Sequence, residues 1–334
     1  MENLSKAQAL LSSHRIPGSA AAKLLLESPV LSEADRQRAA SVRANLAEEM
    51  LRNGASLLFP SDMPDRYRNA PNAPPALYCS GDPSCLESPV LAIVGTRSAT
   101  TYGKAVAQKF AEAIARADVT VISGGALGID AAAHKGALDA GGKTVAVLLT
   151  GIEKVYPRVH FGLFERIKQS GCLLSQFAVG APAARDYRPL MRNYTVAALS
   201  TAVLVVEAPE RSGALSTASA ANDLGRQVFV VPANIDNINF RGSHALIRDG
   251  ATLVEHPDQV LEALQVSPQP QDREQIELSE PQRKILSALT SDPLACEFIV
   301  ERTGLQTSEV LSELTMLELD GHIVKGSGGY ALRP

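Results

Sequence analysis

The sequence predicts an α/β fold in which a doubly wound parallel sheet lies between a small helical domain and a winged-helix domain. Short runs of buried-type residues, such as VLAIV at 90–94, alternate with helical patterns of about ten residues. Two of these runs lead into turns that contain glycine, and a chain of 334 residues is long enough for two or three domains. Alternating strands and helices favour a parallel sheet that is covered on both faces.

Residues 1–58 are predicted to form a small helical domain, similar to SAM or helix-hairpin-helix modules, because leucines with helical spacing flank a turn at Pro17-Gly18. Such a domain could contact a nucleic-acid backbone or dock onto another protein, and the sequence leaves both open. Repeated prolines make residues 59–89 a predicted connector with at most one strand, near Leu77 to Cys79.

Residues 90–266 carry the alternation of strands and helices and are predicted to form a Rossmann-like domain. The expected strands are 90–94, 119–122, 144–149, 172–175, 202–207, 227–231 and 251–254. The expected helices are 102–117, 130–140, 160–169, 193–200, 216–225 and 242–248.

A polar linker at 267–275 precedes the C-terminal domain at 276–334. Helical patterns at 281–289, 295–303 and 307–319, followed by a hairpin of 323–325 with 329–331, are typical of a winged helix. From residue 268 onward the chain has six Lys or Arg residues and eleven Asp or Glu residues. This acidity favours a protein contact over a DNA contact for the C-terminal domain.

The formal net charge of −4 does not exclude a polyanionic partner, because the first 267 residues carry 26 basic and 25 acidic groups. A nearly neutral domain can still focus a positive potential in a cleft. We find no secretory leader and no apolar run of membrane-spanning length, so we expect a cytoplasmic protein. The four cysteines lack the spacing of a metal site or a disulfide framework, and no metal site is expected.

The stretch VTVISGGALGIDAAAH at 119–134 combines a strand, a glycine turn and a helix start. Gly124, Gly125 and Gly128 allow main-chain N–H groups to approach a ligand closely. Asp130 falls in the first helical turn, where the helix dipole favours a carboxylate. A strand that leads through a glycine turn into a helix N-terminus is typical of an anion-binding site.

A second turn, with Thr96, Arg97 and Ser98, follows the strand at 90–94. In open α/β sheets, ligands bind beyond the carboxyl ends of the strands, where the strand order reverses. An arginine at this edge could hold a phosphate through two parallel hydrogen bonds.

Further loops bring phosphate-binding groups to the same edge of the sheet. Arg192-Asn193 precedes a helix, Arg211-Ser212-Gly213 follows a strand, and Ser216 and Thr217 begin a helix. Taken singly, Ser216 is explained as an N-cap and Arg211 as a solvated charge. Their convergence on one edge favours a phosphate site.

The sequence contains no convincing set of catalytic residues. His134 has no placed nucleophile and is best explained as structural, and Glu207 ends a strand, where it could orient Arg97 or Arg192. Tyr156 could stack on a base or pack at the rim. Neither glycine turn has G-x-G-x-x-G spacing and 143–150 offers no acidic ribose ligand, so no cofactor is expected.

Together these motifs resemble the DNA-processing protein A family, also called Smf, of bacterial natural transformation. The resemblance covers most of the central domain and extends to the arrangement of the two flanking domains. The matching motifs are Gly95-Thr96-Arg97, Ser123 to Asp130 with His134, Tyr156-Pro157, Arg192-Asn193, Glu207-Ala208, Ser212 to Ala218, Leu246-Ile247 and Gly250-Ala251.

The resemblance implies a non-enzymatic protein that binds single-stranded DNA, protects it from nucleases, forms a homodimer through the central domain and loads the RecA recombinase. The residues implied to bind DNA are Thr96, Arg97, Ser98, Ser123, Gly124, Gly125, Arg192, Asn193, Arg211, Ser212 and Gly213. The residues implied to support them are Gly128, Asp130, His134, Glu207 and Thr217.

The chain departs from the family pattern near the predicted site. Tyr194 stands where the family usually has arginine, and Pro189-Leu190 stands where it has a Phe-Pro pair. Pro232-Ala233 replaces Pro-Gly, and Ser175-Gln176 replaces Ser-Glu. One phosphate-binding cation and one stacking ring are therefore missing, and Tyr194 or Tyr187 could supply the stacking instead.

Two other functions remain open from the sequence. A nucleotide-binding enzyme similar to nucleoside-monophosphate phosphoribohydrolases would need a Pro-Gly-Gly-x-Gly-Thr turn followed by a glutamate, which 209–217 lacks. A protein-recruiting scaffold with a weakened DNA site agrees with Tyr194 and with the acidic C-terminal domain.

Overall fold

The computed structural model describes residues 54–74, 76–177, 180–183, 187–266, 278–290, 293–319, 322–326 and 328–332. The chain divides into two compact units, Met1–Gln269 and Pro270–Pro334. The helical domain predicted for 1–58 lies outside the described residues except for 54–58, and the linker predicted for 267–275 lies outside them entirely. The predicted domain boundaries therefore stay predictions.

The first unit alternates strands with helices along most of its described length. Its strands are β1 Ser56–Leu58, β2 Leu77–Gly81, β3 Val90–Val94, β4 Thr120–Ser123, β5 Thr144–Val147, β6 Cys172–Ser175, β7 Ala202–Val205, β8 Gln227–Val230 and β9 Thr252–Leu253. Its helices are α1 Asp65–Arg68, α2 Thr101–Arg116, α3 Ile129–Asp139, α4 Phe161–Ser170, α5 Arg188–Leu199, α6 Gly213–Asp223, α7 Arg241–Arg248 and α8 Pro257–Ala263.

Among the described residues the strands of this unit form one nine-stranded sheet, in the order β1-β2-β6-β5-β4-β3-β7-β8-β9. The strands from β3 to β9 pair in parallel. The chain moves outward from β3 through β4 and β5 to β6, then returns to place β7 on the other side of β3. The order reverses between β3 and β7, which confirms the predicted doubly wound, Rossmann-like sheet.

The proline-rich segment at 59–89 contributes β2 to this sheet, at the place where the sequence predicts a strand. Its predicted strand extends to Gly81 as β2, which pairs antiparallel with β6. β1 is a strand where the sequence predicts the end of the helical domain, and it pairs antiparallel with β2. The sequence pattern does not predict β1, the edge strand of the sheet, because Ser56 pairs with Cys79 only in the folded structure.

β3 is buried on both faces because helices pack on either side of the sheet. Ala92 and Val94 pack in the cluster that contains Val196 of α5, whereas Leu91 and Ile93 pack in the cluster of α2 and α3. This two-sided burial explains the continuous apolar run of VLAIV, because successive side chains of a strand point to opposite faces.

Two helices at the carboxyl edge of the sheet begin earlier than predicted. α5 begins at Arg188 because Pro189 is tolerated in the first helical turn, where its missing N–H leaves no bond unmade. α6 begins at Gly213 because Ser212 caps it, accepting a hydrogen bond from the Ala214 N–H at 3.2 Å. Ser216 therefore lies inside α6 and is not its N-cap.

The second unit is a winged helix, as predicted. It contains α9 Glu280–Ala288, α10 Cys296–Thr303 and α11 Thr307–Leu319, followed by the antiparallel pair β10 Ile323–Gly326 and β11 Gly329–Leu332. Ile285, Ile299 and Val310, one from each helix, meet in its core. Nowhere in the described residues of either unit does a helix combine the length and the hydropathy that crossing a bilayer requires.

Candidate functional site

A cavity of about 380 Å³ opens at the carboxyl ends of β3 and β7, at the reversal of strand order. Its walls come from the turn after β3, the start of α3, one side of α5 and the loop that leads into α6. This crevice is where doubly wound sheets bind ligands. The predicted residues that line it are Thr96, Arg97, Asp130, Arg192, Asn193, Arg211, Ser212, Gly213 and Thr217.

The N-terminal end of α6 faces this cavity through Gly213 and Ala214. The first N–H groups of a helix carry a partial positive charge and favour an anion. Asn193 fixes this helix start, since its Nδ2 donates to the Gly213 carbonyl at 3.1 Å and to Ser216 Oγ at 2.7 Å. Asn193 therefore acts on the cavity at least partly by holding α6.

Arg192 is the buried cation of the cavity. Its side chain is 9% exposed, and its guanidinium lies so close to Gly124 that a Cβ at that position would overlap Nη1. Its Nε has no hydrogen-bond partner among the described residues, although buried donors are nearly always paired. Burial lowers the pKa of Arg192, and the nearby carboxylate of Asp130 opposes this shift.

Asp130 is the counter-ion of Arg192, with 3.9 Å between Oδ2 and Nη1. The same Oδ2 accepts a hydrogen bond from the Ala126 N–H at 3.2 Å and so closes the glycine turn. Burial raises the pKa of Asp130, and the charge of Arg192 opposes the rise. Asp130 thus connects the turn after β4 to the buried cation.

Arg97 and Arg211 are exposed cations at the same cavity. In the described part of the chain neither guanidinium has a hydrogen bond or an ion pair. The charge of Arg97 opposes the rise that burial causes in the pKa of Asp130, and it adds to the fall that burial causes in the pKa of Arg192. Arg97 therefore interacts electrostatically with both members of the buried pair. The cavity therefore combines a buried cation with two accessible ones, a distribution that attracts anions.

A smaller cavity of about 50 Å³ adjoins the first and shares Arg97, Ala126 and Arg192 with it. Its other walls are mostly apolar, and they include Leu127 and Tyr156, each 46% exposed. The cationic cavity thus has an accessible apolar surface directly beside it.

The two other tyrosines considered for stacking lie elsewhere. The Tyr194 hydroxyl accepts a hydrogen bond from the Asn72 N–H at 3.2 Å, and its ring packs against the hydrophobic core. Tyr194 therefore does not take the place of a stacking residue at the cavity. Tyr187 precedes α5 at its N-cap position and does not line either cavity.

The structure corrects the expected role of Ser123. The side chain is fully buried, and its Oγ donates to the Ile93 carbonyl at 2.7 Å, which ties β4 to β3 beneath the turn. Ser98, by contrast, is exposed, and its N–H donates to Thr96 Oγ1 at 3.3 Å. Ser98 is therefore accessible to a ligand, whereas Ser123 is not.

The turn glycines allow close packing of neighbouring segments. Gly125 has a φ of +68°, and a Cβ there would meet the Phe164 ring. Gly128 has a φ of +79°, and a Cβ there would collide with the Thr96 carbonyl. Both positions therefore require glycine for conformation and for space. Gly128 lets the turns after β3 and β4 lie against each other, and Gly125 lets α4 pack against the turn after β4.

His134 is buried and structural, as the sequence indicates. Its Nδ1 lies 2.7 Å from Thr144 Oγ1, and the Thr144 hydroxyl donates to the Val121 carbonyl at 2.8 Å, so Nδ1 is assigned the proton. Burial lowers the pKa of His134 to about 3, which keeps the ring neutral at physiological pH.

Thr217 is also buried and closes one wall of the larger cavity.

The structure shows which groups Glu207, which the sequence suggested could orient Arg97 or Arg192, meets directly. Its buried carboxylate accepts hydrogen bonds from Thr100 and Asn239 and contacts neither Arg97 nor Arg192. Sequence reasoning missed both partners. Thr100 had a local signal, a threonine just before a helical pattern, but Asn239 lies 32 positions from Glu207 and had none.

Within the described residues, no group of three or more His, Cys, Asp or Glu side chains is placed to hold a metal ion. The chemistry that this arrangement offers is therefore that of arginine guanidinium groups, main-chain N–H groups and an apolar wall. These groups suit a phosphate ester that carries an unpaired aromatic base.

The chain is similar to known proteins along most of its length. Residues 267–329 match the DprA winged helix domain. Protein Smf of Escherichia coli is 36% identical over 291 residues, which are 82% of this chain and 76% of that protein. The putative DNA processing protein DprA of Mycobacterium tuberculosis is 38% identical over 297 residues, with the same coverage of 82% and 76%.

Solved structures with this fold include DNA processing protein A from Streptococcus pneumoniae, with a TM-score of 0.61, 28% identity, and coverage of 78% of this chain and 92% of that chain. Another describes the single-stranded DNA binding mode of DNA processing protein A from Helicobacter pylori, with a TM-score of 0.58, 29% identity, and coverage of 63% and 95%. The family model named DNA recombination-mediator protein A matches residues 56–265, more than half of the chain. This chain belongs to the DNA recombination-mediator protein A family, which has a DNA-processing role in recombination.

Proposed function

We propose that the cavity between β3 and β7 binds the phosphates of single-stranded DNA. The observation that carries this proposal is Arg192, a buried guanidinium whose Nε has no partner and whose nearest carboxylate, Asp130, is 3.9 Å away. A phosphate would supply the missing acceptor and a second negative charge. The exposed Arg97 and Arg211 and the N-terminus of α6 extend the same site outward.

The family supports a DNA strand as the source of the phosphate. Its members are named for DNA processing, and the Helicobacter pylori relative binds single-stranded DNA. Arginines and main-chain N–H groups that hold phosphates read no base sequence, so the binding is expected to be independent of sequence.

The apolar wall beside the cavity supports a preference for single strands. Tyr156 and Leu127 are accessible next to Arg97 and Arg192. A base attached to a phosphate in the cavity can stack on Tyr156 only if it is unpaired. In a duplex, both faces of the base are covered by the neighbouring base pairs.

The finer functions rest on the family resemblance. We propose that the protein protects incoming single strands, loads the RecA recombinase onto them and forms a homodimer through the central unit in the cytoplasm. We propose further that it acts by binding and not by catalysis, since Asp130 and His134, two titratable residues of the predicted site, are engaged in structural contacts.

Fluorescence anisotropy of labelled oligo-dT and of the matching duplex, each at about 50 and about 200 mM salt, tests the binding proposal. We expect tight, salt-sensitive binding of the single strand and weaker binding of the duplex. Arg211→Ala should weaken binding and lower the salt slope by about 0.7, the value of one phosphate contact on a single strand.

The matched control is Arg116→Ala. Arg116 is in the last turn of α2, at the opposite edge of the sheet, so its removal changes the net charge equally without touching the cavity. Absence of salt-sensitive binding, or an equal loss in both variants, would contradict a phosphate site at this cavity.

A further inference from the structure

Glu207 is a fully buried carboxylate just beyond β7, and its contacts reach two other loops. Oε2 accepts hydrogen bonds from Thr100 Oγ1 at 2.8 Å and from the Thr100 N–H at 3.0 Å. Oε1 accepts one from Asn239 Nδ2 at 2.8 Å. A carboxylate with this set of donors is satisfied in its ionised form, so it has a defined position.

The same residue also holds the beginning of the turn after β3. Its carbonyl accepts a hydrogen bond from the Thr96 N–H at 2.7 Å. Thr100, at the other end of the turn, caps α2 by accepting from the Gly103 N–H at 3.0 Å. Glu207 is thus bonded at both ends of a five-residue segment, from Thr96 to Thr100, with its main chain at one end and its side chain at the other.

Arg97 lies inside this segment, separated from Thr100 by two residues. Its own guanidinium has no partner in the described part of the chain, so the anchors on either side set where its Cα lies and where the side chain starts. Close packing adds to the constraint, because a Cβ at Gly103 would overlap Glu207 Oε2 and a Cβ at Gly95 would lie 2.8 Å from the Glu207 carbonyl.

We infer that Glu207 is a positioning residue for DNA binding: through Thr100 and Thr96 it holds Arg97 where the guanidinium can meet a phosphate. This inference rests on the proposed single-stranded DNA binding. Glu207 touches no DNA itself, and its effect is transmitted through Arg97.

Two variants test the inference from opposite ends of the Glu207–Thr100 contact. Glu207→Gln places an amide donor where the carboxylate accepts from Thr100 or Asn239, so at least one bond is lost. Thr100→Val keeps the shape of the side chain and removes its hydroxyl. We expect each to weaken oligo-dT binding by up to about tenfold, the value of one charge-assisted hydrogen bond between Arg97 and a phosphate, and to lower the salt slope by about 0.7, as Arg97→Ala does.

A double-mutant cycle with Arg97→Ala separates positioning from general damage to the fold. In the Arg97→Ala background neither Glu207→Gln nor Thr100→Val should weaken binding further, because the residue they position is gone. Thr100→Ser, which keeps the hydroxyl, should recover the binding that Thr100→Val loses. Thr120→Val is the matched control, since it removes a buried hydroxyl hydrogen bond of 2.7 Å to the Cys85 carbonyl at the opposite end of the sheet.

Each outcome bears on one proposal. If the wild-type protein binds oligo-dT and both variants weaken binding by the same factor with and without Arg97, the positioning inference is overturned while the binding proposal stands. If the wild-type protein does not bind the single strand, the proposed function fails and this inference fails with it. If Glu207→Gln does not fold, as judged by circular dichroism, the Thr100→Val and Thr100→Ser pair decides the question.

Discussion

The guanidinium of Arg192 lies directly against Gly124, in space that any larger residue would fill. This contact joins α5 to the glycine turn after β4, and Asp130 at the start of α3 completes it with an ion pair of 3.9 Å. The turn that the sequence marks as an anion site therefore holds the buried arginine of the cavity as well as shaping the main chain.

Gly124→Ala should displace Arg192, because the new Cβ would overlap Nη1. We expect a loss of stability of about 1–3 kcal/mol, typical of overpacking, together with a loss of oligo-dT affinity of about tenfold or more. Urea unfolding and anisotropy measure the two effects. Gly162→Ala is the control, since that position in α4 has open space around it and alanine favours a helix. If Gly124→Ala binds oligo-dT with unchanged affinity, Arg192 does not contribute to the binding site.

Arg97→Ala should weaken binding of oligo-dT, oligo-dA and a mixed sequence by the same factor, because a guanidinium on a phosphate reads no base. The salt slope should fall by about 0.7 for each strand. Anisotropy titrations of the three labelled strands at two salt concentrations measure both quantities. A loss confined to one sequence would indicate that Arg97 contacts a base.

Tyr156→Ala should weaken binding of the single strand by about 1–3 kcal/mol, the value of stacking one base on an aromatic ring, and should leave the salt slope unchanged. Tyr156→Phe keeps the ring and should bind like the wild-type protein. The same titrations measure this pair. If Tyr156→Phe loses as much affinity as Tyr156→Ala, the hydroxyl of Tyr156 and not its ring contacts the DNA.

His134 should make the fold sensitive to acid. Its pKa in the folded protein is about 3, below the value of about 6.5 in an unfolded chain. As the pH falls below about 6.5 the unfolded state takes up a proton that the folded state does not bind, so stability is lost between about pH 6.5 and pH 3. From pH 7.5 to 4.5 we expect His134 to account for a loss of about 2–3 kcal/mol.

Urea unfolding at several pH values measures this dependence. His134→Gln should lose less stability than the wild-type protein over that range, whatever its stability at neutral pH. His256→Gln, at an exposed position, should follow the wild-type curve. Equal slopes for all three proteins would show that His134 does not carry the acid sensitivity.

Local sequence patterns were sufficient where a residue's surroundings are set by its near neighbours. β3 was predictable from VLAIV because a strand between two helical layers is apolar at every position. The cavity at the carboxyl edge was predictable because all parallel strands of a doubly wound sheet end at the same edge, so the loops that follow them lie there together. Arg97, Arg192 and Ser212 meet there for that reason.

The same patterns failed where a partner is distant in the chain. Ser123 is the last residue of β4 and precedes the glycines, yet its hydroxyl donates to the Ile93 carbonyl, 30 positions away. Tyr194 is engaged by Asn72, 122 positions away, and so cannot replace the missing stacking ring.

The sequence by itself determined the parallel sheet, the winged helix and the edge where phosphate-binding groups collect, because periodicity and glycine turns act over a few residues. The tertiary structure alone decided how those groups are held. Glu207 is bonded to Thr100 across 107 positions and to Asn239 across 32, and Arg192 fits only because Gly124 leaves space for it. Such contacts depend on which loops the folded sheet brings together, and hydrophobic periodicity carries no information about that pairing.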